Sequence, residues 1–290
     1  MRWILRVLRE AKPVSRGWLL ASIASGLAAL ALGILFAAYP HLDIQIAAWF
    51  FDPDAAKFPM ASTYEWNLVR QIANCLSFLL LLPALFALLR KLAFPGTPML
   101  IAPSVAIFLL GSFLLAPGLT SNLVLKENWG RPRPNHVQQF AGAAEFQPWW
   151  RPSGACERNC SFISGEASQA FWMVAPASLT PPQVRPVALG AAVVFGASVG
   201  GLRIAFGRHF VTDVLFAGVL TVLIVAMLYR LLLNPVRRND ARLERAIERT
   251  SIALHNGTGA LLARLGTALA HAGGALRQTG QHLHKRIACL

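Results

Sequence analysis

The chain has 290 residues, 55% hydrophobic and only 14% charged, with a mean hydropathy of +0.50. Soluble domains carry roughly 45–50% apolar and about 25% charged residues, so this composition excludes a disordered chain and argues against a soluble globular one. The charges are lopsided, 27 Lys and Arg against 13 Asp and Glu for a net +14; that suits either a nucleic-acid binder or a membrane protein whose cytoplasmic segments hold the excess.

Apolar stretches of about 18 residues or more read as membrane spans. Six are predicted, at Trp18–Tyr39, Ile72–Leu89, Pro98–Thr120, Phe162–Leu179, Val187–Leu202 and Val214–Leu233. The fold class is therefore all-α, a polytopic bundle of six helices. A basic N-terminus (1–17) precedes the membrane domain (18–233), and a basic tail (234–290) follows it. The first apolar run is longer than a signal-peptide core, so a retained helix is expected there.

With both termini placed in the cytoplasm, 18 of the 27 basic residues fall on that side, ten of them between Arg230 and Arg286. Nine fall opposite: Lys57, Arg70, Lys126, Arg131, Arg133, Arg151, Arg158, Arg203 and Arg208. This bias follows the positive-inside rule and removes the nucleic-acid reading. The loop 40–67 contains the apolar, aromatic stretch Asp43–Phe51, too short to span and expected at the outer interface, with Trp49 and Trp66 at that depth. In the tail, Leu243, Ile247 and Leu254 can share a helical face flanked by Arg242, Arg245 and Arg249. That pattern suits a helix on anionic inner-leaflet lipid, or a solvated one.

Cys75 reads as a packing residue within the second span, and Cys289 as a free thiol in the tail. Cys156 and Cys160, four apart in the outer loop 121–161, read as a local disulfide in an oxidising compartment or as half of a metal site; no further Cys or His follows at finger spacing.

Three polar clusters remain, all at outer ends of the later spans. Lys126 to Pro134 offers Lys126, Arg131 and Arg133 stiffened by prolines, cations that suit a phosphate dianion or an acidic lipid surface. Ser161 to Ser168 places Ser164, Gly165 and Glu166 at a helix start, which reads as an anion site or as a simple N-cap. Arg203 to Asp213 holds His209 four residues before Asp213, so that the carboxylate is expected to orient the imidazole directly. Taken together, these clusters supply cations, a carboxyl acid and a His–Asp pair on one membrane face, with no Asp/Glu cluster for Mg²⁺ or Ca²⁺. That set implies metal-free phosphoryl transfer through a covalent phosphohistidine, with no cofactor.

These residues resemble the three signatures of the type 2 phosphatidic acid phosphatase superfamily. Lys126 and Arg133-Pro134 match its first motif, and Arg203, His209 and Asp213 its third. The resemblance implies that Lys126, Arg133 and Arg203 hold the phosphate with Ser164 and Gly165. It implies further that His209 attacks phosphorus, oriented by Asp213. The second motif is normally Pro-Ser-Gly-His and here reads Ile163-Ser164-Gly165-Glu166, so either Glu166 takes over the acid–base work of the histidine or the enzyme is impaired. The Ser-Phe-x-Ser-Gly-Glu string after the two cysteines is similar to the lipid A phosphatase branch. The implied activity is dephosphorylation of a membrane lipid, lipid A first, at the periplasmic face of an inner membrane. Undecaprenyl pyrophosphate and phosphatidylglycerophosphate are alternative substrates, and transfer to a lipid acceptor is an alternative reaction. A non-catalytic channel or scaffold fits poorly, because the polar groups collect at one surface rather than inside the spans.

Overall fold

The computed structural model describes residues 16–233 and 239–257, which are helical with no β-strands. They form two compact units, one from the residues up to Ala87 together with Leu100–Asp240, the other from Leu88–Met99 with the residues from Ala241.

In the first unit, α1 (Arg16–Ala38) ends two residues before Pro40, and α2 (His41–Ala48) leaves at 94° to the last part of α1. After a turn at Pro59–Ser62, α3 runs from Tyr64 to Ala93, and α4 from Pro103 to Asn128. The later half of α4, Leu114–Leu125, winds as a π-helix around Pro117. Proline has no N–H for the ordinary α ladder, and a π turn is one way a helix absorbs that loss. Asn122 Nδ2 bonds the Pro117 carbonyl at 2.6 Å. Then come α5 (Gly165–Phe171), α6 (Val174–Ser178), α7 (Arg185–Ala205) and α8 (Val211–Leu232).

Four helices (α3, α4, α7 and α8) are long and apolar enough to cross a membrane, and a fifth is added if the bent pair Gly26–Ala38 and His41–Ala48 is one span. The expected count of six is thus not matched among the described residues. The difference lies chiefly in the fourth predicted span. Phe162–Leu179 forms two helices of seven and five residues broken at Trp172 and Met173, about 20 Å end to end at 1.5 Å per residue, against a ~30 Å hydrocarbon core. Its side chains are covered by neighbouring helices, small and large alike: Ala167, Ser168, Trp172 and Ala175 are fully buried. A run that is hydrophobic on all sides reads the same whether lipid or protein surrounds it. The glycines of α7 have unequal roles. A Cβ on Gly200 would lie 2.2 Å from Val214 Cγ1, so Gly200 sets the approach of α7 to α8, whereas Gly201 faces open space.

The second unit joins the end of α3 to α9 (240–257). Lys91, 3% exposed, bonds Glu248 at 3.0 Å and the carbonyls of Pro95 and Thr97 at 2.6 and 3.1 Å. Ser251 Oγ bonds the Leu92 carbonyl at 2.6 Å, and Glu244 accepts from Met99 N at 2.8 Å. The tail helix therefore presents acids and Ser251 to protein, while Arg242, Arg245 and Arg249 are exposed. Tail positions after 257, Cys289 among them, lie outside the described residues.

Candidate active site

The three polar clusters meet where α4 ends, α5 begins, α7 ends and α8 begins. Backbone hydrogen bonds stitch their loops together: Ser161 N to Arg131 O at 2.8 Å, Asn135 N to Gly207 O at 3.0 Å, and Ser164 N to Asp213 O at 3.3 Å. Each cluster is thus tied to the other two. Lys126 stands on the last turn of α4, six residues beyond the expected end of the third span at Thr120.

His209 lies just before α8 and is 2% exposed. Its Nδ1 is 2.7 Å from the Ser161 carbonyl. A carbonyl oxygen only accepts, so Nδ1 carries the proton and Nε2 keeps its lone pair. Burial pushes the His209 pKa well below the ordinary imidazole value, and the charges of Arg203, Arg133 and Lys126 push it the same way. The same three charges acting on one ring place the first and third clusters together. Burial also lowers Arg133, helped by the charge of Arg208.

Asp213 does not orient His209 directly; its Oδ2 is 3.9 Å from Nδ1. His209 lies outside α8, whose first turn holds Asp213, so the two do not share a helical face as expected. Asp213 instead accepts from Phe210 N at 2.8 Å, capping α8, from Ser161 Oγ at 2.5 Å and from Arg131 Nη1 at 2.5 Å. Ser161 is the intermediary: its hydroxyl is held by Asp213 and its carbonyl holds His209.

Glu166 sits on the first turn of α5. Arg70 Nη1 donates to its Oε1 at 3.0 Å, Asn74 Nδ2 to its Oε2 at 3.1 Å, and Arg203 Nη1 stands 3.6 Å from Oε1. Ser164 is the N-cap of α5, its Oγ accepting from Ala167 N at 3.3 Å, so the hydroxyl expected on the phosphate serves the helix. A Cβ at Gly165 would fall 2.2 Å from Asn122 Oδ1, so a larger residue there would displace the Asn122 side chain from its bond to the Pro117 carbonyl. Cys156 and Cys160 form a disulfide, Cα–Cα 5.8 Å, directly before Ser161.

Two groupings escaped the sequence reading, one of them around Arg131, which was expected among the cations for a phosphate and is instead enclosed by carboxylates of the protein. Arg131, fully buried, bonds Asp43 at 2.8 Å, Thr212 Oγ1 at 2.8 Å and the Gln147 carbonyl at 2.9 Å besides Asp213, with the Phe210 ring 4.3 Å from its guanidinium carbon. Asp43, 1% exposed, also accepts from Thr212 N and Oγ1. The stretch expected at the interface thus packs onto the site, and the sign was an acid in an apolar, aromatic segment. The pairing of Arg70 and Asn74 with Glu166 escaped because the partners lie more than 90 positions apart in the sequence.

The family profile described as PAP2 superfamily matches residues 105–237. The lipid A 4′-phosphatase of Francisella tularensis subsp. novicida (strain U112) is 35% identical over 207 residues, 68% of this chain and 90% of that protein. Lipid A 4′-phosphatases of Rhizobium leguminosarum and Rhizobium etli are each 29% identical over 213 residues, 69% of this chain and 91% and 83% of theirs. No solved structure matches the chain. Profile, relatives and the convergence of the Lys126, Arg133, Arg203 and His209 positions agree: the chain belongs to the PAP2 superfamily, in its lipid A 4′-phosphatase-like branch.

Proposed function

We propose that the protein removes a phosphate from lipid A, through a phosphohistidine on His209, at the periplasmic face of an inner membrane. Membership in the superfamily makes it a phosphatase, a phosphoric monoester hydrolase. The observation that carries the mechanism is the His209 Nδ1–Ser161 carbonyl bond, which leaves Nε2 unprotonated under the charges of three cations.

In the proposed cycle Lys126, Arg133 and Arg203 hold the phosphate beside Ser164 and Gly165. His209 Nε2 forms the bond to phosphorus as the phosphorus–oxygen bond to the sugar breaks, and Glu166 gives its proton to the departing alcohol. Water then attacks the phosphohistidine, losing a proton to Glu166 and releasing phosphate and neutral imidazole. Asp213 is the positioning residue that holds Ser161. An apolar groove of about 240 Å³ between α1 and α8, lined by Leu32, Gly33, Leu215 and Phe216 beside Thr212, supports a lipid as substrate. The distribution of basic residues supports cytoplasmic termini, with the tail 234–290 on anionic inner-leaflet lipid.

The test is phosphate release from lipid A, undecaprenyl pyrophosphate and phosphatidylglycerophosphate in detergent, with and without an acceptor lipid. Lipid A is expected to be the fastest substrate, with free phosphate as product, unaffected by EDTA. His209→Ala is expected to abolish turnover; near-wild-type activity removes the phosphohistidine. EDTA inhibition reversed by Mg²⁺ removes the metal-free chemistry, and phosphorylated acceptor lipid makes the enzyme a transferase.

A further inference from the structure

α3 carries Arg70, Asn74 and Ser77 at i, i+4 and i+7, one polar stripe on an apolar helix. Ionisable groups at such positions on membrane helices mark a function, and their partner identifies it. The stripe faces α5. Beyond the two bonds to Glu166, Ser77 Oγ donates to the Gln169 carbonyl at 3.3 Å, and Gln169 Nε2 donates back to the Asn74 carbonyl at 2.9 Å. Glu166 is thereby held at both oxygens from one helix.

Arg70 also shares a property with the phosphate-site arginines. The Nε atoms of Arg70, Arg133 and Arg203 are all buried and have no hydrogen-bond partner among the described residues. Lys126, Arg133 and Arg203 bring three positive charges to a phosphate dianion, and the Glu166 carboxylate removes one; Arg70, at 3.0 Å from that carboxylate, returns it.

We propose that Arg70 is a positioning residue for Glu166: with Asn74 it fixes both carboxylate oxygens and compensates the charge left on Glu166 once its proton has gone to the leaving alcohol, keeping the carboxylate aimed to take a proton from water. The inference rests on the proton-transfer role proposed for Glu166. On arrival the phosphate takes Arg203, whose contact with Glu166 is the longer one at 3.6 Å. Arg70 and Asn74 keep the carboxylate aimed and make no bond to the substrate. Both residues precede the segment matched by the family profile, so the acid at 166 and its support come from different parts of the chain.

The experiment is a double-mutant cycle on the full chain in detergent, with lipid A and phosphatidylglycerophosphate as substrates and the melting temperature measured alongside. Arg70→Met is expected to lower kcat roughly 30-fold with KM changed less than about threefold, as for residues coupled within one network. Arg70→Lys keeps the charge and recovers most of the rate. The Arg70→Met/Glu166→Gln double variant is no slower than Glu166→Gln alone. Losses that multiply in the double variant, an unchanged kcat in Arg70→Met, or a loss that follows melting temperature and is not rescued by lysine overturn the inference and leave the role of Glu166 standing. A wild-type rate for Glu166→Gln overturns both.

Discussion

Replacing Arg131 by methionine removes one cation from between two buried carboxylates. Asp43 and Asp213 are 1% and 0% exposed and lie 2.8 and 2.5 Å from its guanidinium. Breaking a buried ion pair from one side costs about 3–5 kcal/mol, because the remaining charge is left uncompensated. With two acids on one cation the upper end applies, about 5 kcal/mol. At roughly 2–4 °C per kcal/mol for a chain of this size, the apparent melting temperature should fall by about 10–20 °C. Tryptophan fluorescence of the detergent-solubilised protein reads this, and a turnover assay at low temperature reads the second consequence. Asp213 holds Ser161 and Ser161 holds His209, so kcat falls even where the protein is folded. Arg131→Lys should not restore stability, because an ammonium lacks the fork that spans Asp43, Thr212 and Asp213. Adding Asp43→Asn to Arg131→Met should recover part of the lost stability by removing one stranded charge. A melting temperature within about 2 °C of wild type for Arg131→Met, or losses that simply add in the double variant, would refute the reasoning.

Three further outcomes follow from the packing. Because burial and then the neighbouring cations lower the His209 pKa in the folded protein, the unfolded chain takes up a proton near pH 6.5 that the folded one does not. Stability is therefore full above about pH 6.5 and declines below it, and His209→Gln should flatten that part of the melting-temperature profile against pH. Gly200→Ala pushes a methyl to 2.2 Å from Val214 Cγ1; melting temperature and activity should fall together and be restored by Val214→Ala, and no rescue would mean that α7 and α8 are held elsewhere. Lys91→Met strands Glu248 and the Pro95 and Thr97 carbonyls; trypsin should then cleave at Arg245 and Arg249 faster than in wild type, while turnover stays unchanged.

What could be read from the sequence differs by kind of residue. Lys126, Arg133, Arg203, His209 and Asp213 were legible because their chemistry stands out against apolar spans and their spacing is fixed. Their arrangement was not. The four-residue spacing of His209 and Asp213 suggests a shared helical face, yet α8 begins at Val211 and Asp213 turns back to cap it. The break in the fourth predicted span was invisible for a different reason: burial in protein and burial in lipid select the same apolar residues. Asp43 and Arg70 carried signals, a charge in or beside an apolar run, but their partners lie 88 and 96 positions away, and only the fold supplies that pairing.

Those distant partners bear on how the site is divided along the chain. The family profile starts at residue 105, so α2 and α3 lie outside it, yet each sends an ionised group inward. Asp43 from α2 holds one arm of the Arg131 guanidinium and so fixes the other arm on Asp213; Arg70 from α3 holds Glu166. The nucleophile and the acid proposed for the reaction are thus each positioned through a side chain contributed from before the signature region. The signatures carry the reacting groups, and the preceding helices set their geometry. This accounts for two of the basic residues that run against the expected topological bias, Arg70 and Arg131: each is paired with a carboxylate of the candidate site, Arg131 fully buried and Arg70 partly buried.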